Sequence, residues 1–268
     1  MKKIVFWIVA FLITLSAAVY QRFTGPTHPI QGEVRFDSHK IQYTLPRSHE
    51  TTKDCTIEID IKDLSLSGRI KYRHFKLDEP WIKKRMTRKQ NVLEAVLPKQ
   101  PAAGKLEYKI ILSSEKKEIS LAGDDPVIIR FKDPVPDCIL IPHVIIMFFA
   151  MLFSTRAGIE ALNPKSNPRK YALWTAAFLF VGGMILGPLV QKFAFGQLWT
   201  GFPFGTDLTD NKTLIAMLGW LAAVIAGRKG KPARGWVLGA SILLLVIYLI
   251  PHSLFGSELD YTKLPQGK

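Results

Sequence analysis

Cysteine, histidine and acidic side chains are all scarce in this chain: two, six and 22 respectively among 268 residues. Cys55 and Cys138 are far apart and form no CxxC pair, which excludes a thioredoxin-like redox centre. They leave two arrangements open, one disulfide or two separate thiols. No GxSxG, HExxH or phosphate-loop pattern occurs, so hydrolase and nucleotidase chemistry has no anchoring motif. His39, His49 and His74 are scattered without the spacing of metal ligands. Charge is missing altogether from residues 4–20, 138–155, 171–190, 213–227 and 236–250. A pump or voltage sensor needs ionisable groups inside such stretches, and their absence counts against both.

Five apolar runs of this kind predict five membrane segments, since about 20 apolar helical residues cross a hydrocarbon layer of about 30 Å. The first run also fits a secretory signal, with Lys2-Lys3 before it and Ser16-Ala17-Ala18 as a cleavage site. Apolar residues continue through Val19-Tyr20, which favours an uncleaved anchor. The loops that follow the second and fourth runs carry Arg156, Lys165, Arg169 and Lys170, then Arg228, Lys229, Lys231 and Arg234, with Glu160 their lone acid. The positive-inside rule therefore puts the N-terminus in the cytoplasm, with residues 21–137 and the C-terminus outside. Much of the net charge of +14 is explained by this bias. Residues 21–137 hold 22 basic against 17 acidic side chains, so nucleic-acid binding is not expected.

The region between the first two runs alternates. Cys55, Ile57, Ile59 and Ile61 fall on one face of Cys55–Lys62, and Leu106, Tyr108, Ile110 and Leu112 repeat the pattern. Further strands are expected at 33–36, 40–45, 68–76, 92–97, 117–121 and 127–132, with turns at Ser67-Gly68, Pro98 to Gly104 and Gly123-Asp124-Asp125-Pro126. This spacing predicts an immunoglobulin-like β-sandwich, a binding-type module. The basic run Lys83–Lys89 is read as a solvated turn between strands, with anionic head groups or an acidic partner as its other reading. Pro134-Val135-Pro136 leads into the second run without a long Gly/Ser linker.

Small residues at four-residue spacing, Gly183/Gly187, Gly219/Ala223/Gly227 and Gly235/Gly239, predict close helix packing. Gly187-Pro188 predicts a kink. The stretch 191–212 is unusually aromatic, with Phe193, Phe195, Trp199, Phe202 and Phe204, and is expected to fold over the helix ends. Its Asp207, Thr209, Asp210 and Asn211 read as a helix N-cap region rather than a calcium loop.

One tetrapeptide occurs twice, as Leu140-Ile141-Pro142-His143 and Leu249-Ile250-Pro251-His252. The topology puts His143 and His252 in the same leaflet, where imidazoles suit haem iron, copper or zinc. Met147 and Met151 follow His143 at i+4 and i+8, and Met147 is a further candidate ligand. Both histidines also fit plain interfacial positions next to helix-bounding prolines. Trp199, Asp207, Glu258 and Asp260 are candidates to line, with the histidines, an outer pocket for a quinone or lipid head group.

The expected fold is therefore α+β. Residues 1–23 form an N-terminal transmembrane anchor or signal peptide, 24–137 an extracytoplasmic immunoglobulin-like β-sandwich, and 138–268 a four-helix transmembrane bundle in the plasma (inner) membrane. The expected function is a non-enzymatic scaffold or assembly factor for an envelope complex, whose partners are membrane lipids and an envelope protein. The alternative is a haem- or copper-binding electron-transfer component with His143 and His252 as ligands and Met147 as a weaker one.

Overall fold

The computed structural model describes residues 2–36, 39–115, 117–251, 256 and 258–263. An apolar helix, α1 (Lys2–Thr24), is followed by strands β1 (Ile30–Phe36), β2 (His39–Leu45), β3 (Ser48–Glu50), β4 (Cys55–Asp60), β5 (Ser67–His74) and β6 (Ile82–Arg85). Then come β7 (Thr87–Lys89), β8 (Val92–Leu97), β9 (Lys105–Ser113), β10 (Glu118–Ser120) and β11 (Val127–Lys132). Helices α2 (Asp137–Ala161), α3 (Arg169–Leu179), α4 (Gly187–Phe195), α5 (Leu208–Ala226) and α6 (Arg234–Leu249) complete the chain, with a π-helical segment, Phe180–Leu186, joining α3 to α4. The fold is mixed α+β, with an N-terminal apolar helix, a β-rich middle and several apolar helices.

The chain divides into two compact units: Met1–Pro26 with Val135–Ser257, and Thr27–Pro134 with the tail from Glu258. In the β unit, alternation does what its period requires. Cys55, Ile57 and Ile59 of β4 are buried and Thr56, Glu58 and Asp60 are exposed. The strands pair into a sheet of order β3-β11-β9-β5-β6 with β10 also on β9, a three-stranded sheet β4-β8-β7 and the hairpin β1-β2. Only β3 with β11 is parallel among these pairs. Ile41 and Leu45 from the hairpin, Ile57 and Leu93 from the three-stranded sheet, and Ile70, Tyr108 and Phe131 from the largest sheet share one core.

The basic run Lys83–Lys89 is not a turn. It forms β6 and β7, edge strands of two different sheets, and the reason sits between them. Met86 is buried, and its N–H donates to the Gly68 carbonyl at 2.8 Å, so the chain is pinned inward where it passes from one sheet to the other. Cys55 is buried and its thiol pKa is pushed up to about 11 by that burial; Cys55 and Cys138 are both free.

Four helices are long and apolar enough to cross a membrane: Lys3–Thr24, Asp137–Ala161, Arg169–Phe195 and Leu208–Ala226. The fifth apolar run forms α6, whose 16 residues span about 24 Å. Helix α1 packs among the others. Trp7 meets Phe153 and Tyr171 edge-on at centroid distances of 5.2 and 5.8 Å, and Gln21 donates to the Tyr248 carbonyl at 2.9 Å. The interior is lined by small residues, with Ala150, Ala157, Ala172, Ala216, Ala223 and Ala240 all buried.

The glycine pattern divides. A Cβ on Gly183 would stand 2.8 Å from Thr213, and one on Gly219 would stand 2.9 Å from Leu243, so these positions do set close packing. Gly235 and Gly239 have nothing within 4 Å of such a Cβ and face open space. At Gly187-Pro188, where a kink is expected, the helix widens into a π turn just before the proline. Pro188 has no N–H to donate, and the Gly187 N–H reaches back to Gly182 instead.

Candidate functional site

Two polar groupings in the helical unit involve residues singled out by the sequence. The first is His143. Its Nδ1 lies 3.0 Å from the Gly182 carbonyl, in the π segment, where the Gly187 N–H also donates. A carbonyl only accepts, so Nδ1 carries the proton and the lone pair of the neutral ring is left on Nε2. Met147 lies one helical turn on and packs over the same segment. A Cβ on Gly182 would stand 2.9 Å from its sulfur, so the absence of side chains at Gly182 makes room for it. His143 and Met147 thus face one target, as their i, i+4 spacing requires. His252 lies outside the described residues.

The second grouping is the first turn of α5 and the loop before it. Asp207 caps the helix by accepting from the Thr209 and Asp210 N–H groups at 2.7 and 3.4 Å, the cap that its sequence context predicts. Asp210 accepts from the Thr200 and Gly201 N–H groups at 2.6 and 3.0 Å, and Asn211 accepts from Phe202 N–H at 2.7 Å. Gln191 donates to the Thr200 hydroxyl at 2.6 Å. The loop is therefore stitched to α5 through its own backbone. Gly201 must be glycine here, because a Cβ would meet that of Asp210 at 2.6 Å. Trp199 donates to the Phe202 carbonyl at 3.0 Å, while Phe202 and Phe204 point outward. Phe193 and Phe195, expected in this loop, belong to α4.

Lys212 and Arg156 were not legible as site residues. Lys212 is buried, and its ammonium donates to the Ile250 carbonyl at 2.8 Å, closing the C-terminal end of α6. Arg156 corrects the expected boundary of the second run: it lies inside α2, wholly buried, not in a loop. Glu160 stands 2.5 Å away one turn on, and the guanidinium lies over the rings of Tyr171, Phe6 and Trp7 at 4.4, 5.3 and 5.6 Å. The i, i+4 spacing of Arg156 and Glu160 was the available signal that helix continues past residue 155.

The proposed pocket residues separate by unit. Trp199 and Asp207 belong to the helical unit and are engaged as described. Glu258 and Asp260 belong to the β unit. There Glu258 bridges Lys76 and Lys105 at 3.0 and 2.9 Å, and Asp260 accepts from the Thr262 hydroxyl at 2.6 Å and pairs with Lys263 at 3.0 Å. Tyr261 anchors this tail by donating to Gln100 at 3.0 Å, beside the His74 ring at 4.3 Å. Among the described residues, no group of three or more His, Cys, Asp or Glu side chains is placed to hold a metal ion. Compared with known proteins, the chain matches no family model, no curated protein and no solved structure.

Proposed function

We propose that this chain is an integral membrane protein whose helices form a closed support and whose β unit, outside the cytoplasm, holds or assembles a partner in an envelope complex. One observation carries the reading. Among the described residues, the buried charges of the helical unit, Arg156, Asp207, Asp210 and Lys212, are each engaged in holding helices and loops together. Transport or acid–base catalysis needs a buried charge that can change partners, and these are committed to the fold.

The membrane setting is supported by an inverted distribution of side chains. Alanines line the interior, while Ile145, Leu218, Ile225, Ile242 and Val246 face outward. Orientation follows from charge. Arg234 donates to the Ser166 carbonyl at 3.2 Å and Asn167 to the Gly230 carbonyl at 3.4 Å, which gathers Lys165, Arg169, Lys170, Arg228, Lys229 and Lys231 at one end. The positive-inside rule assigns that end to the cytoplasm of a plasma (inner) membrane. A β-sandwich of immunoglobulin-like kind is supported by the single core shared among the three sheets.

The test compares the tagged full chain with a version in which residues 27–134 are replaced by a short linker, both extracted in mild detergent. Proteins that co-purify only with the full chain are the expected result. A deleted version that stays inserted and keeps every partner overturns the scaffold.

His143 favours a second reading, ligation of haem or copper. Its Nδ1–H on a backbone carbonyl with Nε2 left unprotonated is the arrangement that a ligating histidine adopts. Iron, copper and zinc are measured in protein purified without chelator, together with His143→Ala and His252→Ala variants. Near-stoichiometric metal lost in both variants is expected on this reading; metal retained in both removes the ligand set.

A further inference from the structure

We infer that the outward face of the six-stranded sheet is a docking surface for the anionic head groups of phospholipids. Strand register places Lys83 of β6 opposite Lys71 of β5, and Lys71 opposite Lys109 of β9. Alternation puts all three on the face opposite the buried Ile70, Tyr72 and Ile110. Neighbouring strands lie about 4.8 Å apart, so three lysines cross the sheet in one straight row. Like charges directly opposite one another destabilise a sheet, and an anion outside the chain would offset that repulsion.

The fold neutralises the two arginines that flank Lys71 on its own strand. Arg73 pairs with Glu107 at 2.6 Å, and Arg69 pairs with Glu118. Arg88, from the same basic run, is engaged by the Ile61, Asp63 and Leu66 carbonyls. Among the described residues, no carboxylate pairs with Lys71, Lys83 or Lys109; Lys109 meets only the Asp124 carbonyl. Protection of an exposed edge does not account for the row. Lysines on β6 serve that purpose, but β5 and β9 are interior strands.

Two features favour lipid over an acidic protein. Lysine is a compact point charge, suited to mobile phosphates, whereas fixed recognition of carboxylates uses the arginine fork, and Arg69 and Arg73, which flank Lys71 on its strand, are already paired. Trp81 lies against Arg73 and Lys71, at 4.7 and 5.5 Å from ring to cation, and an indole beside cations is the composition of an interfacial anchor. The inference rests on the proposed role of the β unit as the interacting part and names one of its partners.

The full chain is placed in nanodiscs of phosphatidylcholine, and co-sedimentation is measured with vesicles of phosphatidylcholine alone or doped with phosphatidylglycerol. Binding only to the anionic vesicles, released by high salt, is expected. Each lysine near an anionic surface contributes about fivefold, so the combined Lys71→Gln, Lys83→Gln and Lys109→Gln variant should bind about 100-fold more weakly. That variant should also melt no lower than the parent, because it removes repulsion; Lys83→Glu alone should weaken binding while keeping the fold. A Lys165→Gln, Lys170→Gln, Lys229→Gln control should bind like the parent. Equal sedimentation with both vesicles, or full binding by the triple variant, overturns the inference. So does binding of soluble polyglutamate without binding of phosphatidylglycerol, which assigns the face to an acidic protein. Absent vesicle binding with partners still lost on deleting residues 27–134 removes the inference and leaves the scaffold reading standing.

Discussion

The two units of this molecule are packed by opposite rules. Among the described residues, the β unit buries Ile, Leu, Phe and Tyr, with Ala95 the one alanine among its 22 clustered core residues; in the helical unit eight of 15 are alanine. Large apolar side chains there point outward instead, Leu218 at 56% exposure and Ile225 at 53%. Charge is handled differently as well. The β unit pairs Arg69 with Glu118 and Lys76 with Glu258 at the surface and sets a half-buried Arg73 on a buried Glu107, whereas the helical unit buries Arg156 completely beside Glu160. A core driven by water gathers apolar area. Helices surrounded by hydrocarbon gain nothing by hiding leucine, and associate through close backbone approach and a few polar ties. The contrast is the one expected if two solvents act on one chain, as the proposed membrane setting requires.

Breaking the buried pair should give the largest effect. Arg156→Ala leaves Glu160 without its cation and should destabilise the helical unit by about 3–5 kcal/mol, measured by denaturant unfolding in detergent micelles. The double variant Arg156→Leu, Glu160→Leu should recover most of that loss. If the single and double variants unfold alike, the pair is not what orders α1, α2 and α3 at this point.

Matched truncations sharpen the contrast in packing. Ile59→Ala opens a cavity in the β core and should cost about 2–5 kcal/mol. Ile225→Ala removes the same atoms from an outward face and should cost less than about 0.5 kcal/mol. Equal losses would mean that both faces are packed against protein. Hydrogen exchange in the β strands and in α5 reports the two separately.

Glycine offers a finer comparison. Gly158 faces Ser241, whose hydroxyl donates to the Ser154 carbonyl at 2.9 Å, and an added methyl must displace it. Gly158→Ala should cost about 1–3 kcal/mol. Gly239→Ala meets nothing and should stabilise α6 by about 0.5–1 kcal/mol through backbone entropy alone. A destabilising Gly239→Ala would show that this face is covered by something outside the chain.

What could be read in advance follows the range of the interaction responsible. Period-two alternation is local, and it located β4, β8, β9 and β11; the Asp207 cap is also local and was legible. The strands in Lys83–Lys89 were missed because their apolar signal is a single Met86, held by Gly68 from a distant segment. Lys212 was not legible as a site residue because its acceptors, Ile250 and Pro251, lie just past the end of α6, distant in sequence. Gly235 and Gly239 have the spacing of a packing motif, but spacing does not say whether a partner is present. The shared surface for His143 and Met147 was legible from i, i+4; the carbonyl that His143 meets at a π turn was not.

The smallest effect distinguishes a surface ion pair from the buried one. Burial alone would raise the Glu258 carboxyl, but hydrogen bonds and charge from Lys105 and Lys76 hold it below the ordinary 4.5. A carboxylate depressed in the folded state contributes stability above the unfolded pKa and loses it as pH falls through the folded one. Tyr261, pushed up to about 12 chiefly by burial, behaves oppositely: its neutral form is favoured, and its contribution fades as pH rises from 10 towards that value. Attachment of the tail should therefore be strongest between about pH 5 and 10 and weaken on both sides. Exchange of the Gly104 and Lys105 amides across this range checks the window. Glu258→Gln should flatten the acid limb and cost less than about 1 kcal/mol, because the pair is partly solvated, while Tyr261→Phe should remove the alkaline limb. A Glu258→Gln loss as large as that of Arg156→Ala would erase the distinction between the units and place this pair in a setting as dry as the helix interior.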